Sequence, residues 1–154
     1  MKPTQAQHDF IEVVGRWWEM VGSRSAGRIL GWLMICEPPQ RSAAELMEDL
    51  QLSSGSVSTQ TTVLERVGLA ERVTFPGDRV SYYRLPPNVW LELMKLEAVR
   101  LRELRELAAA ASDVIPAERP DRVEDLDRVA VFFMKRWPEL IDELSRLLEK
   151  EKSK

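Results

Sequence analysis

The sequence has one cysteine and one histidine among its 154 residues. A lone Cys36 excludes an internal disulfide and fits a reducing compartment. Cys36 and His8 cannot build a zinc site by themselves, so no metal is expected. There is no Gly-rich phosphate loop, no nucleophile beside a base and no His–carboxylate pair. No catalytic residue and no cofactor is therefore expected, and the chain does not read as an enzyme. The longest apolar run, Ile29 to Cys36, is broken by Gly31 and is far too short to span a membrane. Residues 1–9 lack the apolar core of a signal peptide. These absences together lead to the expectation of a soluble, cytoplasmic protein with no membrane partner. A basic excess is missing too. The net charge is −3, and no third of the chain is basic: residues 1–37 carry 4 basic and 4 acidic side chains, residues 38–85 carry 5 and 6, residues 86–154 carry 13 and 15. That excludes a non-specific coat for nucleic acid, though not recognition by a few well-placed arginines.

Hydrophobic residues make up 44% of the chain, enough to drive folding rather than disorder. Thr4 and Gln7 have the spacing of a capping box. Behind it Phe10, Val13, Val14, Trp17, Trp18 and Val21 fall on one helical face, with Gly22 as its stop. A second helix over Ser23–Cys36 begins with small residues and becomes apolar nearly all round. It reads as a central buried helix whose glycines permit close packing, ended by Pro38-Pro39. Ser42-Ala-Ala-Glu45 is another capping box, followed by two turns with Ala43, Ala44, Leu46, Met47 and Leu50 on the apolar side. Gln51-Leu52 makes a turn, and Ser53 caps a helix over Ser54 to about Val67. Val57, Thr61 and Leu64 share its inward face. Ser54, Ser56, Ser58, Thr59 and Thr62 are left outward or at its start.

Ala70–Phe75 and Val80–Leu85 are β-rich and flank Pro76-Gly77-Asp78-Arg79, a hairpin with a Pro-Gly turn. Helix, turn, helix and then hairpin is the order of a winged helix. In that arrangement the second helix enters the major groove, and Arg79 at the hairpin tip enters the minor groove or clamps phosphate. Arg72 and Arg84, on the strands, suit phosphate contacts or surface ion pairs. The chain closes with a helix capped by Asn88 and running to Ser112, and a last one with a seam from Leu126 to Leu148. Pro138 is expected to kink or restart that last helix. Trp17, Trp18, Trp32, Trp90 and Trp137 sit at or near apolar-periodic helical positions. That suits core and dimer packing better than a cation-binding cage. The Glu97–Glu106 run reads as a solvated face.

Several runs together resemble the GbsR/MarR-like transcriptional regulators. They are Arg24-Ser-Ala-Gly-Arg-Ile-Leu-Gly-Trp-Leu33 with Pro38-Pro39, Leu52-Ser-Ser-Gly-Ser-Val-Ser58, Leu64-Glu-Arg-Val-Gly-Leu69, and Pro76-Gly-Asp-Arg79 with Tyr82-Tyr83-Arg84. The resemblance covers about residues 10–112. It implies a homodimeric winged-helix regulator built on N- and C-terminal helices and modulated by a small effector. Carried onto this chain, it places Ser54, Gly55, Ser56, Ser58, Thr59 and Thr62 on the recognition helix and Arg79 at the wing tip. Ser54 stands where many relatives carry a basic residue. The expected fold is thus mostly α with a small β-hairpin wing. Residues 1–22 form a dimerisation helix, 23–87 a winged helix-turn-helix, and 88–154 a helical dimerisation region. The expected function is a regulator, acting as a repressor, that binds double-stranded DNA as a homodimer on a pseudo-palindromic operator. The competing reading is a winged-helix module that binds protein instead of DNA.

Overall fold

Nine elements follow one another along the chain: α1 Gln5–Trp18, α2 Arg24–Ile35, β1 Arg41–Ser42, α3 Ala43–Leu50, α4 Ser54–Arg66, β2 Glu71–Thr74, β3 Ser81–Arg84, α5 Val89–Ser112 and α6 Asp121–Lys152. The computed structural model describes residues 2–116 and 118–152. Two units can be told apart, Met1–Val89 and Trp90–Lys154. The mostly helical class with a small antiparallel sheet is as expected.

In the first unit both capping boxes form. Thr4 and Gln7 exchange bonds at the start of α1, and Ser42 and Glu45 do so at the start of α3. Each satisfies backbone donors that a helix start leaves without partners. α1 lies against α2 along Ile11, Val14, Gly15 and Trp18, all buried. This face is one position round from the expected one. Ile11 joins it, while Val13, Trp17 and Val21 are exposed, Trp17 by 57%. The helix also stops at Trp18 rather than at Gly22. The next four residues wind on as turns, and the amides of Val21 and Gly22 both donate to the Trp18 carbonyl at 2.9 Å. Gly22 is needed for space instead, because a Cβ there would run into the Trp18 indole.

α2 is the central helix, with Ala26, Ile29, Leu30, Trp32 and Leu33 buried. Its glycines face α1. A Cβ on Gly27 would lie 2.5 Å from the Trp18 Cβ, 2.8 Å from the Gly15 Cα and 2.8 Å from the Val14 oxygen. Glu12 of α1 binds Arg24 at 2.6 Å and Arg28 at 2.8 Å, both on α2. Arg28 reaches on to the Leu50 carbonyl at 2.9 Å, where α3 ends. In α3 the inward positions are Leu46, Asp49 and Leu50; Ala43 and Ala44 are exposed, against expectation. The hairpin gains a short third strand that the sequence pattern did not reveal. The sheet order is β1-β3-β2, with Arg41 opposite Tyr83 and Ser42 opposite Tyr82.

The second unit is a pair of antiparallel helices, part of α5 and all of α6. Trp137 donates its indole N–H to the Met94 carbonyl at 2.7 Å, and Arg105 meets Asp127 at 3.4 Å. Ala108 and Ala130 are buried. The apolar seam of α6 is split: Ala130, Trp137 and Ile141 are buried or half-buried, while Val129, Phe132, Phe133, Leu140 and Leu147 are exposed. Of the two expected effects of Pro138, a restart does not occur, since α6 runs through it as one helix. Trp137, the residue before the proline, is the one tied to Met94 of α5. Asn88 takes φ +55 in the turn before α5 rather than the extended backbone of an N-cap. Among the described residues no helix is long and apolar enough to cross a membrane.

Gly27→Ala tests the α1–α2 approach. Helix propensity alone favours alanine by about 1 kcal/mol. Two of the three atoms the new methyl meets belong to the backbone and cannot turn aside, so the expected result is a net loss of about 1–3 kcal/mol in denaturant unfolding. A more stable variant would contradict that close approach. A pH series tests the Glu12 cluster. Burial pushes the Glu12 carboxyl up, but the Arg24 hydrogen bond and the Arg28 charge outweigh it and leave the group below the usual carboxylate range. Its contribution is therefore full above the unfolded value and lost as pH falls through the folded one. Glu12→Gln should flatten the acid limb of stability against pH and leave stability near pH 7 lowered.

Candidate nucleic-acid interface

α3 and α4 are joined by Gln51, which takes the left-handed backbone at φ +53 and turns the chain between them. α4 then presents two faces. Val57, Thr61 and Leu64 are buried, as the periodicity predicts. The Thr61 hydroxyl donates to the Val57 carbonyl at 2.8 Å, so its burial leaves no polar atom stranded. On the other face Ser54, Gly55, Ser58, Thr59 and Thr62 are exposed and Ser56 is half-buried. Every expected site residue on this helix therefore lies at or near the surface, brought together by one element. Ser53 caps it by accepting from the Ser56 amide at 3.2 Å. Thr62 donates to the Ser58 carbonyl at 2.9 Å, which uses its hydroxyl proton and leaves the oxygen as an acceptor. Nothing lies within 4 Å of where a Gly55 Cβ would be. No packing demand of the chain accounts for a glycine there.

The wing is held by side chains that sequence pattern alone did not single out. Asp78 accepts from the Val80 amide at 2.9 Å and from the Tyr82 hydroxyl at 2.8 Å. These bonds, the amide first, draw the Asp78 carboxyl below the usual range, and the same bond to Asp78 raises the Tyr82 hydroxyl. No ion pair joins Arg79 to Asp78, whose carboxylate is engaged by Val80 and Tyr82 instead. Arg79 is exposed at the tip, beside Gly77 at φ +84. Arg72 sits differently. Its guanidinium donates to the Tyr83 hydroxyl at 2.8 Å, lies over the Tyr83 ring at 5.2 Å and approaches Glu65 of α4 at 3.7 Å. It braces the wing against α4. Arg84 pairs with Glu71 at 2.6 Å. Among the described residues of α4 and the wing, Arg66 and Arg79 are the arginines with no carboxylate partner. A further tie holds α4 in place: the Ser23 hydroxyl, at the start of α2, donates to the Gln60 side chain at 2.6 Å. Among the described residues no group of three or more His, Cys, Asp or Glu side chains could hold a metal ion.

A helix pair linked by a tight turn, followed by a two-stranded wing and backed by a third short strand, defines a winged helix-turn-helix protein. The comparisons agree. No family model matches the chain. The HTH-type transcriptional regulator MmpR5 of Mycobacterium tuberculosis (strain ATCC 25618 / H37Rv) is 35% identical over 122 residues, which cover 77% of this chain and 74% of that one. A crystal structure described as that of a transcriptional regulator is 30% identical. It has a TM-score of 0.82 and covers 92% of this chain and 99% of that one. The chain belongs to the helix-turn-helix transcriptional regulators. Its relatives favour that function over a module that binds only protein.

Tyr82→Phe isolates the tie at the wing tip. The Val80 amide still holds Asp78, so the hairpin should persist. The Asp78 carboxyl should titrate closer to the usual range, and the amides of residues 78–80 should exchange faster with solvent. An NMR titration with both quantities unchanged would show that the hydroxyl does not order the tip.

Proposed function

We propose that this regulator acts as a homodimer of the GbsR/MarR-like kind and represses by occupying a pseudo-palindromic operator in double-stranded DNA. The observation that carries the reading is the exposed, unpacked face of α4 beside a wing whose tip arginine has no acidic partner. Ser54, Ser56, Ser58, Thr59 and Thr62 meet base edges and phosphates through hydroxyls and methyls. Gly55 lets the backbone of the helix start come close to the duplex. Arg79 enters the minor groove or clamps phosphate. Arg72 contributes by holding the wing, and the support for that role is its contact with Glu65 and Tyr83.

Dimerisation by residues 1–22 and 88–154, around a DNA-binding region at 23–87, is supported by apolar side chains left uncovered. On and just after α1 these are Val13, Trp17, Met20 and Val21, with Met20 82% exposed; on α6 they are Val129, Phe132, Leu140 and Leu147. Several large apolar side chains left exposed on one helix are a reason to expect association there. A second copy brings two α4 helices to successive major grooves, about 34 Å apart. The resemblance also implies a small effector. It would act by binding one separation of the two reading heads better than the other.

A gel-shift of the full chain on the DNA upstream of its own gene tests the reading. Retardation that survives excess non-specific competitor is expected, and no retardation at low salt would overturn it. Arg79→Ala should weaken that binding and reduce the slope of log affinity against log salt by about one, the signature of one lost phosphate contact. An unchanged slope and affinity would remove Arg79 from the interface.

A further inference from the structure

A buried charge cluster joins the wing to the helical body. Arg41 is 1% exposed, and its guanidinium is surrounded on every side. Nη1 donates to the carbonyls of Pro38 at 2.9 Å and Gln40 at 2.7 Å, and Nη2 to that of Glu37 at 2.9 Å. Nε faces Asp49 Oδ2 at 3.3 Å. That same oxygen accepts the Trp32 indole N–H at 2.9 Å, and the guanidinium lies 5.0 Å from the centre of the Trp32 ring. One side chain therefore ties α2, the connection through residues 37–40, and α3 together. The backbone of Arg41 does something different: it is half of β1, opposite Tyr83, and its neighbour Ser42 is opposite Tyr82. Tyr82 in turn holds Asp78, next to Arg79. A continuous set of bonds runs from the Trp32 indole in the core to the wing tip.

We propose that Arg41 and Asp49 are positioning residues for DNA recognition, whose buried cluster sets where the wing stands relative to α4 and so where Arg79 meets the duplex. The inference rests on the reading that α4 and the wing touch DNA. Neither residue can contact DNA itself, because both are buried. A core that needed only to be filled would take apolar side chains at less desolvation cost. Apolar side chains cannot reach three carbonyls at once, and those three bonds fix the direction in which the chain enters β1.

The test is a double-mutant cycle between a buried residue and the tip. The affinity of the full chain for a duplex selected from a random library is measured across a salt series for four proteins: wild type, Asp49→Asn, Arg79→Ala and the double variant. Asp49→Asn should weaken binding by roughly three- to thirtyfold and lower the salt slope as Arg79→Ala does. Adding Arg79→Ala to it should then cost much less than in the wild type. Losses that multiply, or wild-type binding by Asp49→Asn, would overturn the proposal. A second protein guards against simple unfolding. Arg41→Met combined with Asp49→Leu leaves no unpaired buried charge, and its circular dichroism and melting are recorded first to establish that it is folded at the assay temperature. If it binds with wild-type affinity and slope, the proposal fails; a lowered slope in this well-folded protein supports it. Should the wild type select no sequence at all, the recognition reading itself falls, and the inference with it.

Discussion

The contact between Arg41, Asp49 and Trp32 is the constraint on which the first unit depends. A buried guanidinium is tolerable only if its charge is paired and most of its donors are met; here Nη1 and Nη2 donate to three backbone carbonyls, and the Asp49 carboxylate faces Nε as an ion pair without a hydrogen bond. Removing one partner of such a pair costs about 3–5 kcal/mol, because the other charge remains in the dark interior. The segment between α2 and α3 therefore has little freedom to move. From it follow the direction of β1, the cap on α3 at Ser42 and the place of the sheet. The hairpin would be poorly anchored without this strand, since two strands alone are marginal in water.

With the scaffold fixed, the reading surface can be sparse. α4 carries no basic residue before Arg66, at its far end. Most arginines of the unit are engaged with acids of the same chain: Arg24 and Arg28 with Glu12, Arg41 with Asp49, Arg72 with Glu65, Arg84 with Glu71. A surface of this kind binds non-specific DNA weakly, because little counterion release is available. On the proposed function, discrimination rests on hydroxyls and methyls held at fixed positions, which is useful only if the helix and the wing cannot drift. The ties from Ser23 to Gln60 and from Tyr82 to Asp78 serve that purpose.

Much of this could be read from the sequence because it is local. The capping boxes at Thr4 and Ser42, the inward row Val57, Thr61 and Leu64, and the Pro-Gly turn each depend on residues a few positions apart. What could not be read depends on partners far along the chain. β1 is two residues long and has no periodicity to detect. Asp49 stands three residues after Leu46 on an inward stripe, and its burial makes sense only with Arg41 and Trp32 in view. α1 carries apolar side chains on two adjoining stripes. Pattern cannot say that Ile11 and Trp18 face α2 while Val13 and Trp17 do not. At the site the outward residues of α4 were legible, but the engagement of Arg72 was not, because its Tyr83 partner lies across the strand pair, nor was that of Asp78, whose bond to Tyr82 depends on how the hairpin tip folds back.

The central claim is that two copies of α4 and its wing read one duplex together. Hydroxyl-radical footprinting of the full chain on a selected duplex tests it most directly. The account predicts two symmetric protected half-sites about one helical turn apart, roughly 34 Å, each flanked by a protected minor groove where the wing tip enters. A single asymmetric footprint, or uniform protection without half-sites, would contradict it.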